Sequence, residues 1–300
     1  FFERNHSMKP APFKYASPTS LTTAVDLLAE NSFDAKLLAG GQSLVPAMNF
    51  RLTQPAMLID INRLNELDFI RSDNNRIRVG AMTRQRTLER SPLVKSELPL
   101  IHETMPFIAH AQIRNRGTIG GSLAHADPAS ELPVLMVALR GNFKVQNQQG
   151  QRWIPAEDFF ISLFTTALEP DEIMTEIELA PISKGQGWSF QEFSRRKGDY
   201  ALMGVAIVLN LDEHSKMHDS RLVYLNAGDA PRNASPASAL LDGQQPSGNL
   251  FEEVARSAAY DFINPSANIH ASVPYLRHLA YALTLRGLES AYSRAIDSLK

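Results

Sequence analysis

Two Gly-Gly pairs constrain the fold of this chain more than any other feature. Gly40-Gly41 directly follows a short apolar run at residues 36–39 that is typical of a β-strand, and Gly120-Gly121 recurs later with a hydroxyl side chain on each side. Glycine adopts a positive φ without strain and lets a ligand approach the backbone where no Cβ stands. One such pair is typical of an ordinary turn. Two pairs with the same chemistry favour a shared ligand, such as an anion held by backbone amides.

The N-terminal part of the chain alternates helical and strand-like segments. The spacing of Leu21, Val25 and Leu28 predicts a helix, with Thr19 or Ser20 as its N-cap. Apolar runs between polar breaks predict strands at residues 36–39, 57–61, 69–70 and 77–79. Helices are predicted at about residues 98–111 and 131–139, with an irregular, functional loop at residues 114–128 between them. This order of elements indicates an α/β unit.

The C-terminal part has a different pattern. Pro181, Gly185 and Gly187 make residues 180–187 the best linker candidate in the chain. Three runs beyond it predict an antiparallel meander, with strands at residues 188–193, 201–211 and 221–226. A long helix is predicted from about residue 273 to residue 299. The whole chain is therefore predicted to be α+β.

Composition excludes several classes of protein. Lys and Arg number 30 against 32 Asp and Glu, so the formal charge of -2 supplies no strong field for nucleic acid or an acidic membrane. The sequence has no cysteine, which excludes disulfides, thiolate metal sites and cysteine-ligated clusters within it. Its apolar runs fall short of the roughly 20 residues of a membrane span. Residues 1–7 are predicted to be a cloning remnant without signal-peptide character, and the cytoplasm is the expected location.

The two glycine segments also present side-chain donors. Ser43 follows the first pair, and Thr118 and Ser122 flank the second, so the two segments can clasp a diphosphate from two sides. The glycine patterns of the Rossmann and P-loop folds are both absent, so a nucleotide here needs a different cradle. His125 and Asp127 resemble a catalytic pair but have no adjacent nucleophile, and no metal ligands stand at a recognisable spacing.

Four strings carry a family resemblance. They are Ala-Gly-Gly-Gln-Ser-Leu at residues 39–44, Arg-Asn-Arg-Gly-Thr-Ile-Gly-Gly-Ser-Leu-Ala at 114–124, Asp-Pro-Ala-Ser-Glu-Leu-Pro at 127–133 and Ser-Arg-Arg-Lys-Gly-Asp-Tyr-Ala at 194–201. The chain resembles the FAD-binding medium subunits of bacterial molybdenum hydroxylases. That family includes the flavoprotein subunits of carbon monoxide dehydrogenase, quinoline oxidoreductase and nicotine dehydrogenase, and the flavin domain of xanthine dehydrogenase. The resemblance runs in order from about residue 12 to the C-terminal helix.

The resemblance implies a domain plan. Residues 8–185 are expected to form an FAD-binding α/β unit of the vanillyl-alcohol-oxidase (PCMH) type, with two subdomains that divide near residue 60. Residues 186–300 are expected to form a C-terminal flavoprotein domain with a three-stranded antiparallel sheet and helices. The boundary agrees with the linker found from composition.

The resemblance also implies which residues bind FAD. The diphosphate and the neighbouring ribityl and ribose groups are expected at Leu37, Leu38, Ala39, Gly40, Gly41, Gln42, Ser43 and Leu44, and at Thr118, Ile119, Gly120, Gly121 and Ser122. Asp127 and Glu131 complete the set, and Glu131 stands where xanthine dehydrogenase relatives have an aspartate near FAD. Tyr200 stands where carbon monoxide dehydrogenase relatives place a tyrosine against the isoalloxazine ring, although an ordinary aromatic at a strand start is the alternative.

An electron-transfer function follows from the resemblance. The chain is expected to carry FAD, and partner subunits to carry molybdopterin on a large subunit and two [2Fe-2S] clusters on a small one. Electrons from the clusters pass through FAD to an external acceptor, and the holoenzyme is expected to hydroxylate an N-heteroaromatic or related substrate. No acid–base catalyst is required on this chain. The alternatives are a self-contained FAD oxidase of the vanillyl-alcohol-oxidase type and a flavin-binding scaffold without turnover, and the role of Arg195, Arg196 and Lys197 stays open.

Overall fold

The computed structural model describes residues 9–300, so the prediction for residues 1–7 lies outside the described residues. The strands are β1 (Lys14–Ala16), β2 (Ala35–Leu38), β3 (Met57–Asp60), β4 (Ile70–Asp73), β5 (Arg76–Gly80), β6 (Asn142–Asn147), β7 (Gly150–Pro155), β8 (Phe160–Ser162), β9 (Thr165–Thr166), β10 (Ile173–Leu179), β11 (Gln186–Ser194), β12 (Ala201–Leu211), β13 (Met217–Leu225) and β14 (Arg232–Asn233). The helices are α1 (Leu21–Glu30), α2 (Leu44–Asn49), α3 (Gln85–Arg90), α4 (Pro92–Glu97), α5 (Pro99–Thr104), α6 (Ala111–Arg116), α7 (Ile119–His125), α8 (Glu131–Ala138), α9 (Ala156–Phe159), α10 (Ser235–Ser238), α11 (Gly248–Ser257) and α12 (Val273–Leu299).

The first sheet holds three parallel strands in the order β1-β3-β2. Helix α1 packs against it and buries Ala24, Val25 and Leu28. The helix begins after Ser20, whose Oγ accepts the N–H of Thr23, as expected for an N-cap. Because parallel strands end at the same edge, the segments that follow β2 and β3 lie side by side.

The second sheet is antiparallel, with five strands in the order β4-β5-β10-β6-β7. Helices α3 to α8 fall between β5 and β6 in the chain. Apart from Glu131 at its start, helix α8 is apolar on all sides, and it is wholly buried because it also packs against β12 and β13 of the C-terminal part. This helix therefore joins the second sheet to the C-terminal part in one core.

The third sheet is the predicted meander, in the order β11-β12-β13-β14. Strand β12 is buried along its whole length because alternate residues face two cores. Ala206 and Val208 belong to the core that contains α8, whereas Val205 and Ile207 belong to the core that contains α12. The three predicted strands are present, and β14 adds a two-residue fourth strand at the edge.

Two predictions of local structure are wrong. Residues 114–128 are not one irregular loop, because they contain the end of α6 and all of α7. The Thr118 hydroxyl starts α7 as its N-cap by accepting the N–H of Gly121 at 3.1 Å. The helix predicted at residues 98–111 is divided into α5, a 3-10 turn that contains Pro106, and the start of α6, since proline cannot donate a helical hydrogen bond.

The predicted α+β class is confirmed by these three sheets and their helices. Strand β3 ends at Asp60 and β4 begins at Ile70, while β10 ends at Leu179 and β11 begins at Gln186. The domain boundaries near residues 60 and 185 stay predictions. Within residues 9–300, no helix combines the length and the apolar character needed to cross a bilayer.

Candidate functional site

The first glycine segment is a turn from β2 into α2. Gly41 has a φ of +73°, which only glycine adopts without strain. Among residues 9–300, no hydrogen-bond acceptor is found for the backbone N–H groups of Gly40, Gly41, Gln42, Ser43 and Leu44. Consecutive unpaired amides at a turn form a donor set for an anion such as a diphosphate.

The second glycine segment uses its amides internally. The N–H of Ile119 donates to the Thr83 carbonyl at 3.0 Å, and the N–H of Gly120 donates to the Ala81 carbonyl at 2.9 Å. The Ile119 side chain is wholly buried, and a Cβ at Gly120 would lie 2.6 Å from that of Ala81. Packing therefore requires Gly120. Thr118 is only 2% exposed, so this segment offers the Ser122 hydroxyl and a small-residue surface in place of free amides.

The two glycine segments are in backbone contact. A Cβ on Gly40 would lie 2.5 Å from the Arg116 carbonyl oxygen and 2.8 Å from the Cα of Gly117. A Cβ on Gly121 would lie 3.4 Å from that of Ala39 and only 2.8 Å from the Thr118 Oγ1. The structure thus brings the two segments together as one cradle.

Asn62 and Arg84 hold this cradle together, and the sequence reasoning missed both. Asn62 Nδ2 donates to the Ala39 carbonyl at 2.8 Å, and Arg84 Nη2 donates to Asn62 Oδ1 at 2.7 Å. Arg84 Nη1 donates to the Arg116 carbonyl, so the guanidinium bridges the first segment to the second. A signal for Asn62 was present, because it follows β3 at the edge where parallel strands end.

Two carboxylates lie next to the second segment. Asp127 Oδ1 accepts the N–H of Ala129 at 2.9 Å, which fixes the turn before α8. Ser130 Oγ then lies 3.2 Å from Ser122 Oγ of the glycine segment. Glu131 follows as the first residue of α8 with 7% of its surface exposed, and burial raises its pKa to about 7.

Tyr200 directly precedes β12 and is 72% exposed. Partial burial raises the pKa of its phenol, and the charges of Asp127 and Glu131 raise it further. Asn226 donates hydrogen bonds both to Pro128, next to Asp127, and to Ala201, next to Tyr200, so the backbone that carries the tyrosine lies beside the Asp127 turn.

Asn226 joins the two halves of the site and was also missed. Its N–H donates to the Pro128 carbonyl at 2.8 Å, and its Nδ2 donates to the carbonyls of Ala201 and Leu202 at 3.0 and 3.1 Å. Asn226 has a φ of +53°, a conformation in which asparagine is enriched. It therefore links the Asp127 turn to the start of β12, directly after Tyr200.

The structure distributes the sequence-predicted residues over different roles. Leu37 and Leu38 lie in β2 and Leu44 begins α2, so they frame the first turn.

Residues 195–197 form an exposed turn, with Arg195 Nη1 3.0 Å from the His270 ring. Among residues 9–300, no three His, Cys, Asp or Glu side chains are grouped as metal ligands.

Two family models match the chain in succession. The FAD binding domain in molybdopterin dehydrogenase matches residues 11–181, and the CO dehydrogenase flavoprotein C-terminal domain matches residues 188–291. The first model alone covers more than half of the chain.

Similar proteins extend over nearly the whole chain. The 6-hydroxypseudooxynicotine dehydrogenase complex subunit alpha of Paenarthrobacter nicotinovorans is 41% identical over 289 residues, which cover 96% of this chain and 97% of that protein. The structure of carbon monoxide dehydrogenase from Hydrogenophaga pseudoflava has a TM-score of 0.92 and 36% identity, and the match covers 95% of this chain and 99% of that chain. Quinoline 2-oxidoreductase from Pseudomonas putida 86 has a TM-score of 0.89 and 32% identity, with 97% and 100% covered. The chain therefore belongs to the family of FAD-binding medium subunits of molybdenum hydroxylases, and it is an oxidoreductase subunit that carries the FAD-binding domain.

Proposed function

We propose that the paired glycine segments hold the FAD diphosphate, with the free amides of residues 40–44 on one side and the Ser122 hydroxyl on the other, where Thr118 supports it as the cap of α7. One observation carries this placement: among residues 9–300 the five amides of residues 40–44 have no acceptor, and they lie in a turn whose backbone touches the second glycine segment. The cradle fits a diphosphate because Gly40 and Gly41 carry no Cβ that would keep a ligand away from their amides. Asp127 and Glu131 lie next to this cradle, and Tyr200 is placed to cover the ring system.

The residues of this chain position the cofactor and control its surroundings. When bound, FAD supplies a carrier that can take up two electrons and pass them on. The amides of the first segment neutralise part of the diphosphate charge, while Asn62 and Arg84 keep the two segments at a fixed separation. Tyr200 excludes water from one face of the ring system.

We further propose that electrons reach FAD from [2Fe-2S] clusters on a small partner subunit and leave to an external acceptor. Cysteine-ligated clusters lie outside this sequence because it contains no cysteine. A large partner subunit carries the molybdopterin at which the substrate is oxidised. The relative named for a dehydrogenase complex supports a multi-subunit assembly, which we place in the cytoplasm.

The proposed substrate is an N-heteroaromatic compound. Two of the similar proteins are named for 6-hydroxypseudooxynicotine and quinoline, and both compounds contain a nitrogen heterocycle. Another similar protein is named for carbon monoxide, so the family resemblance alone does not identify a heteroaromatic ring as the substrate. The substrate is expected to bind on the molybdenum subunit.

Purification from the native host tests this function. The chain should co-purify with two other polypeptides, and the complex should contain molybdenum, iron and one FAD per copy of this chain. Acid precipitation should release the flavin, because we propose that FAD is bound without a covalent bond. A homomer with FAD as its sole cofactor and full turnover would instead support the self-contained oxidase, and a complex without any flavin reduction would support the scaffold.

A further inference from the structure

The turn that precedes Tyr200 packs on a distant part of the chain, residues 108–110. Gly198 has a φ of +86°, and a Cβ there would lie 2.6 Å from Cε1 of the His110 ring and 2.9 Å from the Ala109 carbonyl oxygen. Only glycine allows so close a contact at this φ. Because Tyr200 follows two residues later, the position of its backbone depends on where residues 109 and 110 lie.

Arg114 holds the 108–110 turn in place. Ala109 has a φ of +44°, an uncommon conformation for alanine that the surroundings must maintain. Arg114 is 7% exposed, and its Nη1 donates to the carbonyls of Ile108 at 2.7 Å and Ala109 at 3.2 Å. Glu89 fixes the guanidinium in turn, since its two carboxylate oxygens accept from Nε and Nη2 of Arg114 at 3.0 and 3.2 Å.

Helix α6 joins the same turn to the glycine segments. It begins directly after His110, whose carbonyl accepts the N–H of Arg114 at 3.1 Å. At its other end, the N–H of Gly117 donates to the Ile113 carbonyl at 2.7 Å. Gly117 is also where the segments meet, because a Cβ on Gly40 would lie 2.8 Å from its Cα. One short helix therefore separates the support of the Tyr200 turn from the proposed diphosphate site.

We propose that Arg114 is a positioning residue that holds the 108–110 turn against Gly198 and so fixes Tyr200 relative to the paired glycine segments. This inference rests on the proposed placement of FAD and of Tyr200. Tyr200 is 72% exposed, so the backbone on either side of it decides where its ring lies. Asn226 holds the residues after the tyrosine by hydrogen bonds, and the contact of Gly198 holds those before it.

Substitutions at both ends of this contact test the proposal in the purified complex. Arg114→Lys removes the planar fork that reaches Glu89 and the two carbonyls together. Gly198→Ala places a Cβ against His110 at a strained φ. Both variants should shift the flavin absorption in the same direction as Tyr200→Ala and change the rate of acceptor reduction, with FAD content unchanged.

Two matched substitutions separate positioning from stability. Arg152 is also bidentate to a glutamate, Glu172, and also donates to a backbone carbonyl, that of Ala167. Gly243 has a φ of +72°, but a Cβ there would meet no atom within 4 Å. Arg152→Lys and Gly243→Ala should keep the wild-type flavin spectrum even where thermal unfolding shows a loss of stability.

A double variant shows whether Arg114 acts through Tyr200. Substitutions that act through one another are not additive. Arg114→Lys should therefore produce no further spectral shift in a complex that already carries Tyr200→Ala. Equal shifts in both backgrounds would overturn the proposed role, and so would loss of FAD from Arg114→Lys, which would assign the arginine to the cradle. If Arg114→Lys does not assemble, Gly198→Ala and its control decide.

The outcomes also separate this inference from the proposed function. A spectral change in Tyr200→Ala, with none in Arg114→Lys or Gly198→Ala, would overturn the positioning role and leave the placement of FAD intact. If Tyr200→Ala changes neither the spectrum nor the rate, the proposed place of the tyrosine at the flavin is wrong, and this inference with it.

Discussion

Gly40 lies at the backbone contact between the two glycine segments. A Cβ there would lie 2.5 Å from a backbone carbonyl oxygen, so Gly40→Ala must push the segments apart. We expect FAD affinity to fall about tenfold or more, which corresponds to about 1.4 kcal/mol. Gly228→Ala is the control, because a Cβ at Gly228 meets no atom within 4 Å. Flavin released by acid from each purified variant measures the effect, and equal FAD content in both would show that the contact is only structural.

Tyr200 is expected to act on the flavin ring without holding the cofactor. Tyr200 is 72% exposed and belongs to neither glycine segment. Tyr200→Ala should therefore leave FAD content unchanged while it alters the flavin absorption spectrum and the rate of reduction of the acceptor, because water gains access to the ring system. Tyr275→Ala, at a 41% exposed tyrosine at the start of α12, is the control. Loss of FAD from the Tyr200 variant would contradict this role.

At the scale of elements, Asn226 links the turn before α8 to the first residues of β12. Asn226→Gly removes the two side-chain hydrogen bonds but tolerates the φ of +53°. It should therefore lower the free energy of unfolding by about 1–3 kcal/mol. Asn226→Ala should cost about 1 kcal/mol more, because a Cβ is strained in the left-handed region. Denaturant unfolding of the two variants measures the loss of the side-chain hydrogen bonds and the added backbone strain. Equal stability would show that the backbone conformation carries no strain.

A buried hydrogen bond joins β13 to α12. Thr284 Oγ1 donates to the Ala280 carbonyl at 2.7 Å, so the Tyr224 hydroxyl must donate to Thr284 at 2.6 Å. Tyr224→Phe leaves the threonine hydroxyl with its acceptor and should lower the free energy of unfolding by about 1 kcal/mol. Thr284→Val leaves the buried tyrosine hydroxyl without its acceptor and should lower the free energy of unfolding by about 1–3 kcal/mol. Thermal unfolding at unchanged FAD content checks this order, and a larger cost for Tyr224→Phe would reverse the donor assignment.

The sequence predicts elements well where one local signal dominates. Strand β12 and helix α12 have their predicted bounds, because a long apolar run and a long helical periodicity leave no competing pattern. It fails at α7, where glycines indicate a loop although the Thr118 cap and contacts with Ala81 fold the segment into a helix. Tertiary packing overrides local propensity there.

At the scale of the whole molecule, the sequence locates the glycine segments but not their surroundings. Motifs identify residues 40–44 and 118–122 because glycine pairs mark places where the backbone needs a positive φ or a close approach. Arg84 and Asn226 carry no such signal, since their roles arise from hydrogen bonds to distant parts of the chain. The tertiary fold is what places them at the site.

We propose that this chain is an electron-transfer subunit whose FAD is reduced by its partners. The direct test follows flavin absorbance after anaerobic addition of the complex's substrate, in the purified chain loaded with FAD and in the intact complex. We expect the flavin to be bleached rapidly in the complex and not in the chain alone, because electrons must arrive through the partner's clusters. Rapid bleaching in the isolated chain would contradict this proposal and identify a self-contained oxidase.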